Sequence, residues 1–191
     1  EGGCLVFNTD RFGGDQVSLA EKLRLQGLVR HGPDGMEVDV LGGKDNLTDV
    51  NAVIGLHQLK QLERFQEQRI ALARHYFDRF EQSGLSKIGL GLPIADFVNS
   101  NWHMFQVLLP LERLGQTRSQ IMLALKERGI GTGVHYPAIT GFALYRQRGY
   151  SPEATPVANQ IGQSILTLPL FPTMTEADID RVVKALQEVL A

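Results

Sequence analysis

The 191-residue chain is 43% hydrophobic and 21% charged, an ordinary globular balance that excludes wholesale disorder. Its net charge of −2 leaves no basic footprint for nucleic acid or anionic lipid, and no apolar run approaches the ~18 residues of a membrane span. The single cysteine, Cys4, excludes an internal disulfide framework and a cysteine-based zinc site, and fits a reducing, cytosolic compartment.

The chain opens Glu1-Gly2-Gly3-Cys4-Leu5-Val6-Phe7, without an initiator methionine or the flanks of a signal peptide. A glycine pair running straight into apolar residues predicts a turn leading to a buried strand over Cys4–Asn8, and the chain reads as a segment of a longer one. A helix follows through Val17, Ala20 and Leu23, with Gly27 as its left-handed stop. The Gly/Pro/Asp-rich stretch His31–Gly35 is a loop, and Met36–Leu41 a short strand.

The clearest pattern is a helix from about Thr48 to Gln82, ended by Ser83-Gly84, with Thr48 or Asp49 capping its first turn. Val50, Val53, Ile54, Leu56, Leu59, Leu62 and Phe65 recur at helical spacing, then Ile70, Ala73, Tyr76, Phe77 and Phe80. At 1.5 Å per residue such a rod is roughly 50 Å long, wider than a small domain, so a bend or a bridge between two packed units is expected.

Beyond it, Met104–Leu109 reads as a strand ended by Pro110. Thr117 with Gln120 forms a capping box for a helix through Arg128, stopped by Gly129. Ile130–Tyr136 is strand-like up to Pro137, and Ser164–Leu170 is another short strand. Thr175 with Asp178 repeats the capping box, before a helix with Ile179, Val182, Val183, Leu186 and Leu190 on one face. Helices on one side of a small sheet make an α+β unit.

Signatures of several chemistries are missing. There is no G-x-S-x-G nucleophile elbow and no close histidine pair for zinc. The run Gly129-Ile130-Gly131-Thr132-Gly133 follows a helix and lacks G-K-[ST], so it reads as a helix stop and not as a phosphate loop. Two constellations stand out. In Gly42-Gly43-Lys44-Asp45-Asn46-Leu47-Thr48-Asp49, Lys44 and Asn46 offer donors beside a helix N-terminus, which suits an anion. A solvated loop capped by Asn46 or Thr48 accounts for the same residues more simply. In His135-Tyr136-Pro137, an imidazole and a phenol sit where a strand ends, and a packed strand end is again the simpler account. His57 and His75 fall on the long helix as surface or packing residues.

Taken together, several spaced motifs resemble the DegT-type nucleotide-sugar aminotransferases, pyridoxal-phosphate enzymes of fold type I. Lys44-Asp45-Asn46-Leu47-Thr48-Asp49-Val50-Asn51-Ala52 with Ile54-Gly55-Leu56-His57-Gln58-Leu59 is one. Trp102-His103-Met104-Phe105, Lys126 through Pro137, and Leu168-Pro169-Leu170-Phe171-Pro172 follow in the same order, and the likeness covers essentially the whole chain. Glu1-Gly2-Gly3 resembles the turn after the family's Schiff-base lysine. Within the family the Asn-Leu-Thr-Asp version is most similar to the members that make UDP-4-amino-4-deoxy-L-arabinose, although the family usually carries aromatic residues at the positions of Gly43 and Asp45.

The resemblance implies an α/β chain forming the C-terminal part of a fold type I transferase. Residues 1–45 would end the large cofactor domain, 46–84 form the long connecting helix, and 85–191 the small C-terminal α+β domain. It implies homodimers with shared active sites, in which Lys44 and Asn46 reach the cofactor phosphate of the neighbouring subunit. His135, Tyr136 and His103 would line the nucleotide-sugar pocket. The cofactor is pyridoxal 5'-phosphate, the substrates a nucleotide-linked keto-sugar and an amino acid donor such as glutamate, and the setting cytoplasmic polysaccharide or lipopolysaccharide biosynthesis. The Schiff-base lysine is expected upstream of Glu1, because Lys22, Lys44, Lys60, Lys87, Lys126 and Lys184 all lie outside its motif position. A lysine amine is needed as nucleophile and proton carrier, so these residues alone are expected to be inactive. The competing expectation is a non-catalytic dimerisation or ligand-binding module derived from such an enzyme.

Overall fold

The computed structural model describes residues 3–8 and 10–191. The chain divides into two compact units, Glu1–Leu62 and Glu63–Ala191. No helix among the described residues is long and apolar enough to cross a membrane.

In the first unit, residues 3–8 form no regular structure. Glu1 and Gly2 of the expected turn lie outside the described residues, and Cys4–Asn8 is not a strand. Leu5 and Val6 are 74% and 85% exposed, because no other described segment pairs with them. Helix α1 (Gly14–Arg24) ends in Gln26 and Gly27, both with positive φ. Gly27 is obligatory there: a Cβ would lie 1.7 Å from the Val40 carbonyl oxygen. The His31–Gly35 loop turns out to close an antiparallel hairpin of β1 (Leu28–His31) and β2 (Gly35–Val38), with Leu28 opposite Val38.

The expected continuous rod is two helices, α2 (Asp49–Leu59) and α3 (Leu62–Ser83). Thr48 caps α2, its Oγ1 accepting from the Asn51 amide at 3.4 Å. The break at Lys60–Gln61 has a local cause. The Gln61 amide donates to Gln58, three residues back, while its side-chain amide takes the His57 carbonyl that a continuing helix would use. Helix α3 ends before Gly84, whose φ is 72°.

The second unit holds the buried core. Strand β3 (Phe105–Leu108) pairs antiparallel with β4 (Ile165–Leu168), Phe105 opposite Leu168. Single bridges extend this ribbon on both sides, Gly91 to Leu108 and Gly133 to Thr167. Ile130–Tyr136 therefore contributes one bridge where a strand was expected, since its glycines carry no side chains to pack on a pleated face. Between the strands lie α4 (Leu111–Leu114), α5 (Arg118–Glu127), α6 (Ala143–Gln147) and α7 (Pro156–Ser164), and α8 (Glu176–Leu190) closes the chain. Both capping boxes form as the sequence reads, Thr117 with Gln120 and Thr175 with Asp178.

Helix α8 buries Ile179, Val182, Val183, Leu186 and Leu190, the stripe its spacing predicted, while α5 buries Ile121 and Leu125. Helix α3 adds Leu72, Ala73, Tyr76 and Phe80, with Phe105 stacked 4.4 Å from Tyr76. Asp180 of α8 meets both His75 and Arg79 of α3 at 2.8 Å.

Candidate functional site

In the first unit, Gly43–Asp45 runs antiparallel to the end of α1. Gly43 N–H donates to the Leu23 carbonyl at 2.9 Å, Gln26 N–H to the Gly43 carbonyl at 2.7 Å, and Asp45 N–H to the Arg24 carbonyl at 2.8 Å. These bonds hold the segment beside an open cleft of about 880 Å³, which Lys44 and Asn46 both line. Arg24, Glu21, Thr48 and Asn51 line it too.

Thr48, not Asn46, caps α2. The Asn46 side-chain oxygen is buried and has no hydrogen-bond partner among the described residues. Turning the amide exchanges that oxygen for an N–H2 donor at the same place. Lys44 makes no ion pair among the described residues. The cleft lining thus carries an ammonium, a guanidinium, an amide and a hydroxyl, beside the carboxylates of Glu21 and Asp45, at the helix N-terminus where the dipole favours negative charge, and the cationic and neutral donors are of the kind that suits a phosphate monoester. Sequence reasoning missed Arg24. The residue lies on α1, twenty positions before Lys44, and only the antiparallel pairing brings it to the cleft.

The other three predicted residues lie in the second unit. His135 Nδ1 is 2.9 Å from Thr167 Oγ1, and its carbonyl accepts from the Gln106 side chain, so its ring and backbone are held by β3 and β4. Tyr136, joined to it through a cis peptide bond, is 70% exposed, with its ring edge-on to the imidazole. A neutral or charged imidazole held in this way can donate or accept at its remaining nitrogen, beside an accessible phenol. His103 is exposed in the loop before β3, its amide donating to Asn101 Oδ1 at 3.0 Å and its carbonyl accepting from Arg69 at 3.0 Å. No His/Cys/Asp/Glu cluster able to hold a metal occurs among the described residues.

A family model for the DegT/DnrJ/EryC1/StrS aminotransferases matches residues 1–187. The chain belongs to that family. Its fold is that of several solved aminotransferases. An assigned sugar aminotransferase of Streptococcus pneumoniae, solved in apo, PLP and PMP forms, superposes in its apo form with a TM-score of 0.81 at 20% identity, over 96% of this chain and 45% of that one. PseC of Helicobacter pylori, an aminotransferase in pseudoaminic acid biosynthesis, gives 0.79 at 18% identity, over 93% and 46%. DesV of S. venezuelae, solved with a ketimine intermediate, gives 0.70 at 27%, over 92% and 44%. The chain therefore spans about half the length of the structures it matches, and it is part of the α/β transferase fold expected from its motifs.

Proposed function

We propose that this chain supplies the phosphate-holding and sugar-binding parts of a pyridoxal-phosphate-dependent aminotransferase acting on a nucleotide-linked keto-sugar, with an amino acid such as glutamate as donor. The observation that carries the reading is the cleft that Lys44 and Asn46 both line, the Asn46 side-chain oxygen buried without a partner among the described residues, in a chain whose family aminates sugars. Bound pyridoxal phosphate would supply the electron sink for moving the amino group.

The chain's own residues hold and orient. Lys44 and Asn46, with Arg24 beside them, bind the cofactor phosphate of the neighbouring subunit in a homodimer. Thr48 caps α2 by accepting from the Asn51 amide, which fixes the start of the helix beside the same anion. His135, fixed by Thr167 and Gln106, presents a ring nitrogen toward the sugar nucleotide, while Tyr136 and His103 add a phenol and a second imidazole. The Schiff-base lysine belongs to a part of the protein preceding Glu1, so the 191 residues alone have no transaminase activity. The lone cysteine accords with a cytoplasmic setting.

The test uses the full-length protein. Asn46→Ala removes one hydrogen bond to a charged group, about 1.5–3 kcal/mol, and should weaken pyridoxal-phosphate retention on dialysis roughly 10- to 100-fold. Unchanged retention would remove Asn46 from the site. A full-length protein that neither binds the cofactor nor forms 2-oxoglutarate from glutamate and a nucleotide keto-sugar would overturn the function itself.

A further inference from the structure

Arg69 lies on the face of α3 shared by Gln66, Ala73, Tyr76 and Phe80, and no carboxylate pairs with it among the described residues. Its Nη1 instead donates to three backbone carbonyls, those of His103 and Leu170 at 3.0 Å and that of Trp102 at 3.4 Å. Two segments far apart in sequence thus share one guanidinium. Neutral side chains on either side reinforce each of them: Gln66 donates to the Ser100 carbonyl at 3.2 Å, and Tyr76 to the Pro169 carbonyl at 2.7 Å.

The segment before β3 needs such a hold. Trp102 has φ 45°, a left-handed conformation that a bulky residue keeps only when its surroundings impose it. Its indole ring is buried among Phe77, Phe97 and Phe105, but the indole N–H has no hydrogen-bond partner among the described residues. Stacking therefore anchors the ring, while the polar anchoring of the backbone falls to Arg69, Gln66 and the short turns made by Ser100 and Asn101. Of these, Arg69 alone also holds the Leu170 carbonyl.

We propose that Arg69 is a positioning residue for sugar-nucleotide binding: it clasps the Trp102–His103 backbone to Leu170, and so sets where the His103 imidazole and the Phe171 ring stand. Phe171 is 49% exposed next to the clasped carbonyl, so its ring faces out from a backbone that Arg69 fixes. The proposal deepens the functional reading above and rests on His103 belonging to the substrate pocket. A guanidinium suits the task because it stays charged and has several N–H groups in a rigid fork. A lysine ammonium keeps the charge and three donors on a shorter reach, whereas methionine keeps only the packing.

The experiment compares Arg69→Met, Arg69→Lys, His103→Ala and Tyr76→Phe in the full-length protein loaded with pyridoxal phosphate. Arg69→Met should speed amide exchange at both 100–103 and 169–171, Arg69→Lys should restore much of the protection, and Tyr76→Phe should disturb the second segment alone. In turnover, Arg69→Met should raise the sugar-nucleotide KM roughly tenfold and change kcat little, with the donor half-reaction untouched and with a smaller added effect on top of His103→Ala than in the parent. Unchanged exchange at either segment would overturn the clasp. So would equal effects of the lysine and methionine variants, or losses that fall alike on both half-reactions. If Arg69→Met does not fold, the lysine variant's KM and exchange decide in its place. A wild-type KM in His103→Ala would sink the placement of His103, and the exchange result would then judge the clasp by itself.

Discussion

Tyr76 is completely buried on α3, and its hydroxyl is the donor to the Pro169 carbonyl. Burial pushes its phenol far above the ordinary tyrosine range, with Asp178 acting in the same direction. A group raised in the folded state contributes its stability below the unfolded value, near pH 10, and loses it as pH rises beyond that point. Tyr76→Phe should cost about 1–2 kcal/mol at neutral pH, by leaving Pro169 without its donor. It should also lessen the loss of stability expected of the parent chain above about pH 10. Urea titrations at pH 7 and pH 11 check both, and an unchanged alkaline slope in the variant would refute the assignment. The sequence placed Tyr76 on the buried stripe of a helix but said nothing of the hydroxyl's partner, which lies 93 positions away. Asn46 is similar. Its neighbourhood was legible as an anion site or as a loop capped by Asn46 or Thr48, and the structure gives the cap to Thr48.

At the scale of elements, capping chemistry was the most legible signal, because its partners sit three residues apart. Thr175 Oγ1 accepts from the Asp178 amide at 3.3 Å, and the Asp178 carboxylate accepts from the Thr175 amide at 2.8 Å. The Thr175 backbone, its hydroxyl and the Arg181 charge hold the Asp178 carboxyl below its ordinary value. Its contribution is present above the unfolded value and fades as pH falls through the folded one. Thr175→Ala should therefore destabilise α8 by about 1 kcal/mol at pH 7, measured by thermal unfolding, and by less in acid strong enough to protonate Asp178 in the folded chain. An equal loss at both pH values would deny the carboxylate its part. Strands were harder to read. Cys4–Asn8 and Ile130–Tyr136 have strand-like composition, yet a strand exists only where a second one pairs with it. The helix break at Lys60–Gln61 was invisible for a related reason: no glycine or proline marks it, only a glutamine side chain competing for a carbonyl.

Across the whole molecule the two units differ in burial. Among the described residues of Glu1–Leu62 only Gly27 is buried, and Val50, Val53, Ile54, Leu56 and Leu59 of α2 are 57–72% exposed. An 11-residue helix without a packed face has little to hold it in water. The core, from Leu72 through Phe105 to Leu190, belongs to the second unit. Hydrogen exchange on the 191-residue chain should find the amides of α2 roughly two orders of magnitude less protected than those of α8. Comparable protection would mean that α2 is covered in solution.

The two capping boxes, the glycine stops at Gly27, Gly84 and Gly129, the buried stripe of α8 and the family could be read from the chain, because each depends on residues close in sequence or on motifs in order. Only the tertiary structure decided which half of the Thr48–Gln82 pattern is packed: Ala73, Tyr76 and Phe80 are buried while the earlier stripe is not. It also decided that Arg24 joins Lys44 and Asn46 at one cleft, and that Arg69 ties Trp102 and His103 to Leu170. Periodicity records that a helix has an apolar face. What covers that face, and which distant carbonyl a side chain reaches, depends on contacts between segments that no local pattern encodes.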